Sequence, residues 1–119
     1  AAADVPPERT LLLGFSQGGC LAGEFVAQNP RRYGGLVVLS GSLPGPERTR
    51  DYSATIDGTP VFFGCSADDP YVPAERVHGS VHVFKQLDGD VWYRLYDGLG
   101  HAINDDEIQT VNSVIERLV

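Results

Sequence analysis

A chain of 119 residues, 42% of them hydrophobic, reads as one domain at most, with enough length to bury a core. Sixteen acidic residues against nine basic leave a net charge of −7, which argues against a surface for nucleic-acid phosphates and for solubility. No apolar run approaches the ~20 residues that a membrane-spanning helix needs. The start, AAADVPPERT, has no cationic segment leading into an apolar one, so as it stands it is not a signal peptide. Cys20 and Cys65 are too few for a disulfide framework and read as buried thiols in a reducing, cytoplasmic setting, with a single disulfide between them as the alternative.

Short apolar runs alternate with helical patterns along the chain. Leu11-Leu12-Leu13, ending in Gly14, is the first run. The pattern over Gln17–Gln28 follows, with Leu21, Phe25 and Val26 as its apolar positions and Asn29-Pro30 as its stop. Gly35–Ser40 (GLVVLS) is the second run. Pro44–Gly58 is aperiodic and rich in turn residues, so it reads as a long surface loop. Pro60–Cys65 (PVFFGC) is the third run. A helix over Pro73–Leu87 repeats Val77, Val81 and Phe84 behind a first-turn proline. Val91–Tyr96 (VWYRLY) is the fourth run, and Arg94 gives it the partial alternation of an edge strand. The last helix, Asn104–Val119, opens on Asn104 with Glu107 three residues on, a capping-box spacing, and carries a stripe of Ile108, Val111, Ile115 and Leu118.

Runs this short, apolar on both faces and bounded by Gly and Pro, are strands of a buried parallel sheet. Strand-helix repeats of this kind imply an α/β fold with right-handed crossovers. In such sheets function gathers beyond the carboxyl ends of the strands.

The residues that follow each run are therefore the informative ones. After the first comes Gly14-Phe15-Ser16-Gln17-Gly18, which fits G-x-S-x-G between a strand and a helix. In that motif the serine sits on a strained turn, and glycine is expected on both sides because a side chain would clash. A helix starting at Gln17 aims backbone N–H groups and a partial positive charge at an oxyanion. After the third run come Asp68 and Asp69, and after the fourth comes Gly98-Leu99-Gly100-His101. Serine, aspartate and histidine thus occur in the chain order of α/β-hydrolases, each at a strand's carboxyl end. Taken singly, a turn serine, a capping aspartate and a loop histidine would explain the same residues.

The segments GFSQGG, SGSLP (Ser40–Pro44), GCSADDPYVP (Gly64–Pro73) and YDGLGHAI (Tyr96–Ile103) together resemble the carboxylesterase/phospholipase family of α/β-hydrolases, which includes acyl-protein thioesterases. The resemblance covers nearly the whole chain. It implies Ser16 as nucleophile, His101 as general base and the Gln17 N–H as one oxyanion donor. The acid of the family directly precedes the proline of D-P-x-[VI]-P, which puts that role on Asp69 with Asp68 as its rival. The family has more strands than this chain, and its second oxyanion donor lies on an early loop. The resemblance therefore covers a carboxyl-terminal part, about four mostly parallel strands with their helices in a single domain. The missing half would leave a strand edge open to pairing with that half or with a second copy.

The implied activity is hydrolysis of carboxylic esters or thioesters of small to medium acyl chains, with no metal or organic cofactor. Leu43 and Tyr71, near strand ends, are candidates for an acyl pocket. His78 and His82, four apart on one helix, could hold a metal, but no ligand lies between them and surface histidines are the plainer reading. Trp92 and Tyr93 read as packing residues. The readings from other classes are a non-catalytic α/β binding or assembly fragment and a flavodoxin-like binding module; the latter does not need a histidine after the last strand.

Overall fold

The computed structural model describes residues 5–43 and 54–118. A short 3-10 turn, Pro7–Arg9, leads into β1 (Leu11–Phe15), α1 (Gln17–Gln28), β2 (Gly35–Leu39), β3 (Pro60–Ser66), α2 (Ala74–Gln86), β4 (Asp90–Tyr96) and α3 (Asp105–Glu116). The strands make one sheet in the order β1-β2-β3-β4, and every pair is parallel. The register aligns Phe15 with Leu39, Leu39 with Gly64, and Ser66 with Tyr96. All four carboxyl ends therefore leave the sheet on one side.

Helices cover both faces of the sheet. Val26 of α1 and Val77, Val81 and Phe84 of α2 pack with Leu36, Val38, Val61, Phe63 and Cys65 on one face. Val111 of α3 packs on the other, with Val37, Leu39 and Phe62. The two central strands, β2 and β3, are consequently buried along their whole length, while β4, at the edge, is only partly buried and does not show the alternation expected for it. Burying the Phe84 ring against Phe63 removes apolar surface from water, worth roughly 1.5–3 kcal/mol for a side chain of this size.

The helical faces differ in part from the apolar stripes in the sequence. On α1 the buried residues are Gly19, Gly23 and Val26, while Leu21 is 67% and Phe25 50% exposed. The small residues form the packed face because the helix lies close to β2. A Cβ on Gly19 would come within 2.9 Å of Val38 Cγ1, and one on Gly23 within 3.3 Å of Leu43 Cδ2. On α3 the face turned to the sheet runs through Glu107, Val111 and Val114, and Leu118 beyond the helix packs against Gly34. Ile108 and Ile115 are exposed. The buried face is thus rotated by about one residue from the expected stripe, because a carboxylate takes an inward position.

The carboxyl end of α3 falls at Glu116, short of the expected Val119. Its amino end carries the expected capping box. Asn104 Oδ1 accepts from the Glu107 N–H at 2.8 Å, and Glu107 Oε1 accepts from the Asn104 N–H at 3.0 Å. Asp106, in the same first turn, accepts from the Tyr96 O–H and from Arg94, both at 2.6 Å, which ties α3 to β4. Of the expected surface loop, positions 44–53 lie outside the described residues. The part that follows is not surface throughout: Ile56 is fully buried, and its N–H donates to the Leu87 carbonyl at 2.8 Å.

Candidate active site

The site begins with the turn from β1 into α1. Ser16 adopts φ 57° and ψ −120°, a region that costs a non-glycine residue of order 1–3 kcal/mol. Hydrogen bonds on both sides hold it there. The Ser16 N–H donates to the Leu39 carbonyl at 2.8 Å, and the Ser16 carbonyl accepts from the Cys20 N–H at 3.1 Å. A Cβ on Gly14 would collide with the Gly18 carbonyl, so that position requires glycine. Gly18 differs from expectation: a Cβ there meets nothing within 4 Å among the described residues. The tight partner of Gly14 is Gly19, whose Cβ would stand 2.9 Å from the Gly14 carbonyl oxygen.

Three strand ends then converge. His101, after β4, sets Nε2 2.7 Å from Ser16 Oγ and Nδ1 2.7 Å from Asp69 Oδ2. With its proton on Nδ1, the ring donates to Asp69 and accepts from the Ser16 hydroxyl. Asp69 is 8% exposed. Its second oxygen, Oδ1, accepts from the Tyr71 and Val72 N–H groups at 2.8 and 3.1 Å. Burial opposes the Asp69 charge, but the hydrogen bond from His101 and those two N–H groups outweigh it, and the carboxyl lies below its usual range. It therefore stays ionised beside the imidazole. The rings of Phe15 and Tyr71 flank His101, with centroids 5.0 and 4.9 Å away.

The remaining expected residues take the following places. The Gln17 N–H is the first of α1, where backbone donors have no acceptor within the helix, and it adjoins Ser16. Tyr71 is 75% exposed beside His101. Leu43 is not open to a ligand in this arrangement. It is buried in the core against Gly23, and its N–H donates to Ser80 Oγ at 2.8 Å. Asp68 does not touch His101's ring; it accepts from the Ser66 hydroxyl. His78 lies edge-on against Tyr93, with centroids 5.1 Å apart.

Several residues around the site make contacts that the sequence did not reveal. Ser40 is fully buried at φ 51°, donates its N–H to the Gly64 carbonyl at 2.7 Å, and its hydroxyl donates to the Ala102 carbonyl at 3.2 Å. Cys65 is buried with Sγ 3.9 Å from Asp69 Oδ2; burial and the Asp69 charge push its thiol up to about 11. Glu107 was legible as a cap but not as a core residue. It is fully buried, and its Oε2 has no hydrogen-bond partner among the described residues. The oxygen fills the space over Gly64, where a Cβ would collide with it. Burial raises the Glu107 carboxyl above its usual range, partly offset by the Asn104 N–H.

The comparisons with known proteins agree with this architecture. The model of the phospholipase/carboxylesterase family matches residues 1–119. A crystal structure of a phospholipase/carboxylesterase from Dyadobacter fermentans superposes with a TM-score of 0.88 at 37% identity, covering 95% of this chain and 55% of that one. Acyl-protein thioesterase 1 of Gibberella zeae is 32% identical over 116 residues, 95% of this chain and 49% of its own length. The carboxylesterase SOBER1 of Arabidopsis thaliana is 30% identical over 112 residues, 93% of this chain and 49% of its own. The fold and strand-end loops define an α/β-hydrolase architecture. The chain belongs to the phospholipase/carboxylesterase family, and it spans about half the length of the curated relatives it matches.

Two outcomes follow from this geometry. Gly14→Ala is expected to destabilise the fold by several kcal/mol, as overpacking against backbone does, while Gly18→Ala stays within about 1 kcal/mol; urea unfolding of the two variants checks this. Glu107 is the second case. A carboxyl raised in the fold holds its proton more tightly folded than unfolded, so stability falls as pH rises from its ordinary value through the raised one. Glu107→Gln removes that loss. Its melting temperature relative to the parent should climb as pH rises through that window, and a difference that stays flat with pH would show that the Glu107 carboxyl holds its proton equally in the folded and unfolded chain.

Proposed function

We propose that the protein is a serine hydrolase that cleaves carboxylic esters or thioesters of small to medium acyl chains. The observation that carries the reading is the unbroken line from Ser16 Oγ through the His101 ring to Asp69 Oδ2, with both contacts at 2.7 Å. In the reaction Ser16 Oγ attacks the acyl carbonyl while His101 Nε2 takes its proton. Asp69 holds the tautomer with Nδ1–H and stabilises the imidazolium that forms. The imidazolium then returns the proton to the leaving alcohol or thiol. A water molecule, deprotonated by the same nitrogen, releases the acid from Ser16. The Gln17 N–H receives the negative charge on the carbonyl oxygen, assisted by the positive end of α1. The Gln17 N–H is the one oxyanion donor we assign within these 119 residues. No step calls for a metal or organic cofactor. Tyr71, exposed beside His101, is the pocket residue of choice for the acyl chain. A reducing, cytoplasmic location fits the two unpaired thiols, Cys20 and Cys65. Among the described residues no helix is long and apolar enough to cross a membrane.

A fluorophosphonate probe tests this in the full-length protein. Ser16 should be labelled, Ser16→Ala should be blank, and Asp69→Asn should lower kcat for p-nitrophenyl butyrate by about 10⁴, because the wrong tautomer then faces the serine. A full-length protein whose Ser16 resists the probe would favour the non-catalytic binding fragment.

A pairing surface accompanies the site. β1 is an edge strand, and Leu13 and Phe15 on it are 49% and 38% exposed. We assign this edge to a further strand, from the remainder of the protein or a second copy. The 119-residue segment expressed alone should sediment as an oligomer. A lasting monomer at high concentration would remove the edge from consideration.

A further inference from the structure

The loop that brings His101 to the site, Asp97–Ile103, has little to hold it. Gly98 and Gly100 both sit at positive φ, 68° and 69°, and a Cβ on either meets nothing within 4 Å among the described residues. Among the described residues its backbone is held by Ser40 and Ser66, with the Gly100 N–H on Asp68 as a further contact. Downstream of the histidine, Ser40 donates to the Ala102 carbonyl. Upstream, the Leu99 N–H donates to Ser66 Oγ at 3.1 Å. Ser66 is fully buried at the end of β3, and its hydroxyl proton faces two acceptors, Asp68 Oδ1 and the Tyr96 carbonyl at 3.2 Å. A hydroxyl that donates to a carboxylate becomes the better acceptor, since hydrogen bonds in a chain polarise one another.

We propose that Ser66 and Asp68 are positioning residues that set the height of His101 over Ser16 through the relay Leu99 N–H, Ser66 O–H, Asp68 carboxylate. The inference rests on the serine-hydrolase reading and deepens it. Neither residue touches the reacting atoms. Both act on the backbone one or two residues ahead of His101, whose ring nitrogens must meet Ser16 and Asp69 at once. The adjacent aspartates divide the work: Asp69 holds the ring and Asp68 the loop. The Ser66 hydroxyl first, with the Gly100 N–H as a smaller contributor, keeps the exposed Asp68 carboxyl below its usual range, so the relay is charged at neutral pH.

The test uses the full-length protein with Asp68→Ala, Asp68→Asn, Ser66→Ala and the double variant Ser66→Ala/Asp68→Ala. Asp68 is exposed, so Asp68→Ala keeps the fold even if the buried Ser66→Ala does not. Asp68→Ala should slow fluorophosphonate labelling of Ser16 about tenfold, the factor that one hydrogen bond of ordinary strength represents. It should lower kcat for p-nitrophenyl acetate with KM and melting temperature unchanged. Asp68→Asn keeps an acceptor oxygen and should recover to within about threefold of the parent. The double variant should lose less than the product of the two single losses, because both cut the same relay. Parent-like labelling by Asp68→Ala, or additive losses, would overturn the relay while leaving the hydrolase reading intact. If the parent protein itself is not labelled, the hydrolase reading fails and the His101 imidazole Nδ1 proton decides the positioning. That resonance, identified by its loss in His101→Gln, should broaden or shift upfield in Asp68→Ala; an unchanged signal would overturn the inference.

Discussion

Everything at the site depends on the backbone of Ser16 being held where a serine would not choose to be. The Leu39 carbonyl fixes its N–H, and the first turn of α1 fixes its carbonyl. Gly14 and Gly19 allow strand and helix to meet with almost no space between them. Gly41 extends the same requirement to the next strand end, since a Cβ there would lie 2.8 Å from the Ser16 carbonyl oxygen. A side chain at any of these positions would push the elbow away from the sheet and the hydroxyl away from His101.

Around that fixed point the parallel register does the rest. Because every strand runs the same way, the loops after β1, β3 and β4 open on one side without further arrangement. Each then carries its own local device. Asp69 uses its outer oxygen to cap the Tyr71 and Val72 N–H groups, so one carboxylate both shapes its loop and faces the imidazole. The loop with His101 is terminated by the capping box of α3, which starts that helix three residues after the histidine. Glu107 belongs to that cap and at the same time fills the gap above Gly64, so the end of the loop and the centre of the sheet share one buried side chain.

Much of this was readable from residue types, and the exceptions have physical causes. The four strands matched their apolar runs to within two residues because a strand buried on both faces leaves little else to read. Ser16, Asp69 and His101 stood out because glycine, proline and chain order bracket them. Leu21 and Phe25 misled, since α1 approaches the sheet through glycines and leaves its large side chains outside. Leu43 misled differently: its place near a strand end says nothing about which way its side chain turns. Glu107 lay on a helix that any pattern of hydrophobic residues would rotate outward. Ser40 and Ser66 are ordinary residues in ordinary runs. Their value comes from contacts across 62 and 33 positions, which no local window contains.

The contact between Ser16 and His101 joins positions 85 apart, while the elbow itself needs only β1, α1 and β2. During synthesis the elbow around Ser16 is therefore built early, and His101 arrives only with β4. An emerging chain carries a strained serine without its histidine contact until β4 has docked and α3 has closed behind it. Such a long-range closure is among the slow steps of folding. The hydrogen bond between Ser16 and His101 thus reports that β4 and α3 are in place, and in an incompletely folded chain the two residues stand apart.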